Sequence, residues 1–132
     1  MHSLTLGGVG YGQHNSFIND SALHHILFRL GAQLLRLSLV KLEALTSHTF
    51  QIVGQYCTQL TELGLVSCSN MIRLDLIQTA AYDEVQLELM NLMRAIGLRL
   101  TALDIRYSAE VSDPILRTLG RYAPRLTRSD RF

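Results

Sequence analysis

Residues 33–68 read QLLRLSLVKLEALTSHTFQIVGQYCTQLTELGLVSC. The stretch holds one half-motif twice: Leu34-x-x-Leu37-x-Leu39 returns as Leu60-x-x-Leu63-x-Leu65, 26 residues on. Alternating apolar residues over so short a run predict a strand with one buried face. Between the two runs, residues 46–56 predict a helix. Thr46 or Ser47 can cap it, and Phe50 and Val53, with Ile52 and Tyr56, supply an apolar stripe. Strand, helix and strand in this order imply a parallel pairing with the helix as crossover.

Working outward, the half-motif recurs as Met71-x-x-Leu74-x-Leu76 and Leu100-x-x-Leu103-x-Ile105, and its tail stands alone as Leu4-x-Leu6. Further helices are expected over 18–30, 84–96 and 111–122. In the first, Asp20 or Ser21 is the cap, Leu23, Ile26, Leu27 and Leu30 form the stripe, and Gly31 is the stop. In the second, Asp83 is the cap, and Leu89, Met90, Leu92, Met93 and Ile96 are apolar, the methionines as core filling. The third carries Ser112 and Asp113 before Pro114, which suits a first helical turn. The helices align with one another: Leu45 to Leu60, Val85 to Leu100 and Val111 to Leu126 are each 15 residues apart. This repetition predicts an α/β leucine-rich repeat solenoid of about four repeats, a right-handed βα superhelix with a parallel inner sheet and outer helices, in a single domain over residues 1–132.

One interval is irregular. Only residues 66–70 separate the half-motif ending at Leu65 from the one starting at Met71, too few for a parallel crossover. The second run can turn back as an antiparallel hairpin, mark a lost half-repeat, or lie outside the sheet within one long repeat over 60–97. The last is the favoured reading, because it pairs 61–65 with 101–105 and keeps Leu63, Leu65, Leu103 and Ile105 in one sheet.

At this point 57–70, CTQLTELGLVSCSN, and 111–126, VSDPILRTLGRYAPRL, resemble the cysteine-containing leucine-rich repeats of F-box/LRR proteins and their F-box-free relatives. Cys57 matches the helix-end cysteine of that pattern and Cys68 the one after L-x-L-x-x. The resemblance implies recognition of protein substrates for ubiquitin ligases through the solenoid. The first six residues are already repeat-like, so no F-box is expected.

Lys and Arg number 12 and Asp and Glu 11, a net charge of +1, so no global field draws nucleic acid or an anionic membrane. The arginines at 117, 121, 125, 128 and 131 read as the solvated face of a last helix plus a frayed tail. No run is apolar enough to span a membrane, and no signal peptide is recognisable. Two cysteines are too few for a disulfide framework and are expected buried and reduced, in a cytoplasmic or nuclear protein. Residues 7–13, GGVGYGQ, do not have phosphate-loop spacing and read as a turn. His24 and His25 are adjacent, hence about 100° apart on a helix, and cannot chelate one metal. Neither metal nor cofactor is expected.

No Ser, Cys or Thr sits in a nucleophile motif, and Asp75 and Asp104, flanked by arginines, read as part of an ion-pair network, so the chain is not expected to be an enzyme. The strand residues between the leucines point to the opposite, concave face. They form three rows: Ser3, Arg36, Glu62 and Ala102; Thr5, Ser38, Gly64 and Asp104; Gly7, Val40, Val66 and Arg106. Lys41, Ser67 and Tyr107 flank the third row. An apolar centre ringed by charge and a tyrosine fits a protein interface. The expected protein-binding residues are Arg36, Ser38, Val40, Lys41, Glu62, Val66, Asp104, Arg106 and Tyr107. A scaffold acting through solenoid ends, or a fragment of a longer F-box/LRR protein, is the alternative. Neither end carries a polar cap, and self-association through the ends is expected.

Overall fold

The computed structural model describes residues 2–7, 18–66, 68, 80–104, 120–126 and 128–131. Its elements follow in chain order as β1 (Ser3–Gly7), α1 (Asp20–Leu30), a 3-10 turn (Gly31–Gln33), β2 (Arg36–Val40), α2 (His48–Tyr56), β3 (Glu62–Val66), α3 (Ala80–Ile96), β4 (Ala102–Asp104) and β5 (Arg128–Arg131). Residues 120–122 are also helical. The strands make one sheet in the order β1-β2-β3-β4-β5, every neighbouring pair parallel. The expected α/β architecture with a parallel sheet is therefore present.

The leucine spacing sets which face is buried. Along β2 and β3, Leu37, Leu39, Leu63 and Leu65 are buried, while the residues between them are less so. Register carries this from strand to strand: Leu4, Leu37, Leu63 and Leu103 are successive partners, as are Leu6, Leu39 and Leu65. These leucines meet Leu23 and Leu27 of α1, Phe50 and Val53 of α2, and Leu89, Leu92, Met93 and Ile96 of α3 in one core. Helix α1 packs on α2 and α2 on α3.

Strand β3 pairs directly with β4, Leu63 opposite Leu103, as the long-repeat reading requires. The ladder extends one residue before the strands. The Leu35 N–H donates to the His2 carbonyl at 2.8 Å, Thr61 to Leu35 at 2.8 Å and Thr101 to Thr61 at 2.8 Å. The Thr61 and Thr101 hydroxyls donate to the same carbonyls at 3.0 and 3.2 Å. The position of 72–77 lies outside the described residues, as do the Gly7–Gln13 loop beyond Gly7 and most of the helix expected over 111–122.

Three local expectations are corrected. The cap of α1 is Asn19, whose side chain accepts from the Ala22 N–H at 2.9 Å. Asp20 instead reaches across to the start of α2, accepting from the Thr46 N–H at 3.1 Å and the Thr49 hydroxyl at 3.0 Å, and from the Thr46 hydroxyl. A carboxylate from one helix thus satisfies free donors at the next, a tertiary form of capping that local sequence does not reveal. At α2, where Thr46 or Ser47 was expected to cap, Ser47 makes no side-chain cap bond and the Thr46 hydroxyl accepts from the His48 N–H at 3.3 Å. Helix α3 begins at Ala80, so Asp83 lies inside it rather than capping it. The tail is not frayed at 128–131, which pairs with β4.

Gly31 stops α1 without a left-handed turn, at φ −57°. It is needed for proximity: a Cβ there would stand 2.9 Å from both the Cβ and the carbonyl oxygen of Tyr56. Gly97, after α3, meets Tyr122 in the same way and more tightly, with the tyrosine carbonyl 2.1 Å from the position of a Cβ. Each glycine lets the end of one helix close on the end of the next.

Both cysteines are buried, Cys57 at the end of α2 and Cys68 after β3, where its thiol donates to the Leu39 carbonyl at 3.5 Å. Burial pushes the Cys57 thiol up from 9.0 to about 12, and it raises Cys68 too, opposed by a backbone hydrogen bond. A raised thiol pKa stabilises the fold fully below the unfolded value and loses that contribution as pH rises through the folded one. For Cys57 the window runs from pH 9.0 to about 12. At pH 8 both cysteines are expected to react with Ellman's reagent more than about 100-fold slower in the native protein than in urea, because both access and thiolate population are reduced. Rapid native modification of both would contradict this burial.

Candidate functional site: the open face of the sheet

The face of the sheet opposite the core carries the residues between the leucines. Register aligns Ser3, Arg36, Glu62 and Ala102 in one row, then Thr5, Ser38, Gly64 and Asp104, then Gly7, Val40 and Val66. In-register parallel pairing of strands with alternating side chains yields such rows, about 4.8 Å from strand to strand. A shallow depression of about 410 Å³ lies over them, bordered by Arg36, Glu62, Ser38, Asp104 and Val66. Gly64 presents no side chain between Ser38 and Asp104, so the floor is low there.

Arg36 is exposed, and its Nε donates to the Glu62 carboxylate on the neighbouring strand. The ion pair spans β2 and β3 at one edge of the depression. An exposed pair of this kind adds only about 0–1 kcal/mol to stability. It therefore counts more as a charged contact surface than as a structural tie. Ser38, Val40, Glu62, Val66 and Asp104 are half-buried. Lys41 follows β2 at a left-handed φ of 56°, and its N–H donates to the Val66 carbonyl at 2.8 Å. It turns the chain away at the margin of the third row. The structure brings Arg36, Ser38, Val40, Lys41, Glu62, Val66 and Asp104 to one face. Arg106 and Tyr107 lie outside the described residues.

Sequence reading placed Arg36 and Glu62 side by side without their ion pair, which needs side-chain geometry. It missed a second cluster entirely. Arg94, in the last turn of α3, donates to the Tyr122 hydroxyl at 3.3 Å, and the Arg94 and Arg121 guanidiniums stand 5.4 and 5.5 Å from the Tyr122 ring centroid. The separation of 28 positions between Arg94 and Tyr122 matches no helical or strand spacing, so nothing local signals their contact.

Among the described residues, no three His, Cys, Asp or Glu side chains form a metal-binding group. His24 bonds the Tyr56 hydroxyl at 2.8 Å, and His48 faces Glu88 at 3.5 Å. Among the described residues, no helix is long and apolar enough to cross a membrane. Neither a protein-family model nor a curated protein matches the chain.

Proposed function

We propose that the chain is a leucine-rich repeat solenoid and that it binds a protein partner through the open face of its sheet. The observation that carries the reading is the in-register set of rows under a shallow depression, which Arg36, Glu62 and Val66 border, with Val40 beside Val66 in the third row. Among the described residues the helices pack on one side of the sheet only, and the pleated face on the other side offers a broad surface, the form in which repeat proteins bind partners. Its mix of half-buried valines and a charged rim suits a protein more than a small ligand, since a shallow depression cannot enclose one. The resemblance of 57–70 to F-box/LRR repeats points, within protein partners, to a substrate or component of a ubiquitin ligase.

The test is affinity purification with the parent chain and with Arg36→Glu and Val66→Asp. One partner recovered by the parent is then titrated against all three. Each variant is expected to weaken binding about tenfold or more, as removal of a central interface contact does. Melting temperatures are expected to stay within about 3 °C, because both positions lie on the open face. Unchanged dissociation constants for both variants would refute the assignment of this face.

A further inference from the structure

The cluster at the ends of α3 and the 120–122 helix is separate from the sheet face and has its own chemistry. Arg94 and Arg121 are both exposed, and both guanidiniums converge on one phenol. Among the described residues, neither is paired with a carboxylate. Two cations held near one ring without a counter-charge repel each other, and an arriving anion relieves that repulsion.

The simplest structural role for Arg94 is to offset the negative end of α3. That end is already served by others. The Met93 carbonyl accepts from the Gly97 N–H at 2.7 Å, the Ile96 carbonyl from the Arg99 N–H at 3.0 Å, and the Ala95 carbonyl from Arg99 Nη2 at 3.4 Å. Arg94 turns instead to the Tyr122 hydroxyl. The Arg94 hydrogen bond, and with it the positive charge of Arg121 and Arg94, lowers the Tyr122 pKa against a smaller opposing effect of burial.

We propose that Arg94, Arg121 and the Tyr122 hydroxyl form a binding site for a phosphate-class oxyanion. Each planar guanidinium offers a fork of N–H donors matched to phosphate oxygens, and the phenol can add an O–H donor. A dianion meets two cations here, which favours phosphate over a singly charged carboxylate. Gly97, closed on the Tyr122 carbonyl, brings the end of α3, which carries Arg94, to the segment that carries Arg121 and Tyr122.

The test uses the full chain at low ionic strength and pH 7.5, followed by amide and arginine Nε–Hε NMR signals. Inorganic phosphate, phenyl phosphate and acetate are titrated at matched ionic strength. Both phosphates are expected to give saturable shifts at Arg94, Arg121 and Tyr122, with acetate at least about fivefold weaker. Tighter binding of phenyl phosphate would assign the group to an aryl ester, and equal binding to phosphate itself. Arg94→Gln and Arg121→Gln, both surface changes, should each weaken phosphate about fivefold or more while leaving the remaining spectrum in place. Shifts that never saturate, acetate equal to phosphate, or an unaltered affinity in Arg94→Gln would each overturn the proposal. None of these outcomes bears on the sheet face, which is tested separately.

Discussion

Leu63→Asp is expected to unfold the protein or to lower its melting temperature by more than about 15 °C, the consequence of burying a carboxylate without a partner. Leu63 is 3% exposed in the central strand β3, with Leu37 on one side and Leu103 on the other. An aspartate there must either ionise in an apolar layer or hold its proton at a cost, and either route removes more than about 3 kcal/mol. Since each strand rests on the next, the damage spreads to both neighbours. Ser38→Asp provides the contrast, placing the same carboxylate on the opposite face of β2. Its melting temperature is expected to fall by less than about 4 °C. Circular dichroism at 222 nm against temperature reads both variants. Equal melting curves would mean that the two faces of the sheet have been exchanged.

Gly97→Ala is the second change with a large expected effect. One methyl group would stand 2.1 Å from the Tyr122 carbonyl oxygen and 2.3 Å from that of Met93, both backbone atoms. Neither can yield without moving a helix end. Overpacking of this kind costs about 1–3 kcal/mol, and the double backbone clash puts Gly97→Ala at the upper end. The melting temperature is expected to drop by about 6–15 °C. Leu98→Ala, at a position 67% exposed, should leave it nearly unchanged. Gly31→Ala, with its nearest atoms at 2.9 Å, should fall between the two. A Gly97→Ala protein as stable as its parent would show that the helix ends are not closed as described.

These two sites also mark how far the sequence could be read. The inward leucines were legible because strand alternation is a local rule: Leu37, Leu39, Leu63, Leu65 and Leu103 all occupy the buried face. The rows on the other face follow from the same rule once the strands pair in register. The roles of Gly31 and Gly97 were not legible. A glycine after a helix reads as a stop, whereas the need here is the approach of a residue 25 positions away. Asp20 failed as a local cap for the same reason, since its partners, Thr46 and Thr49, belong to the next helix. Strand β5 was hidden by composition: RSDR has neither alternation nor β-branched residues, and only pairing with β4 makes it a strand. In the candidate site, membership of the face could be read for the residues from Arg36 to Asp104, but the Arg36–Glu62 contact and the turn at Lys41 depend on side-chain reach and on a left-handed backbone.

The most direct measurement for the open face is site-specific photo-crosslinking in cells. A benzophenone amino acid is placed at Ser38, in the middle row of the sheet, or at Gln51, on the exposed side of α2. A discrete protein adduct is expected from Ser38, absent from Gln51 and lost when Arg36→Glu is introduced alongside. Adducts arising from Gln51 alone, or a Ser38 adduct indifferent to Arg36→Glu, would contradict binding through the open face.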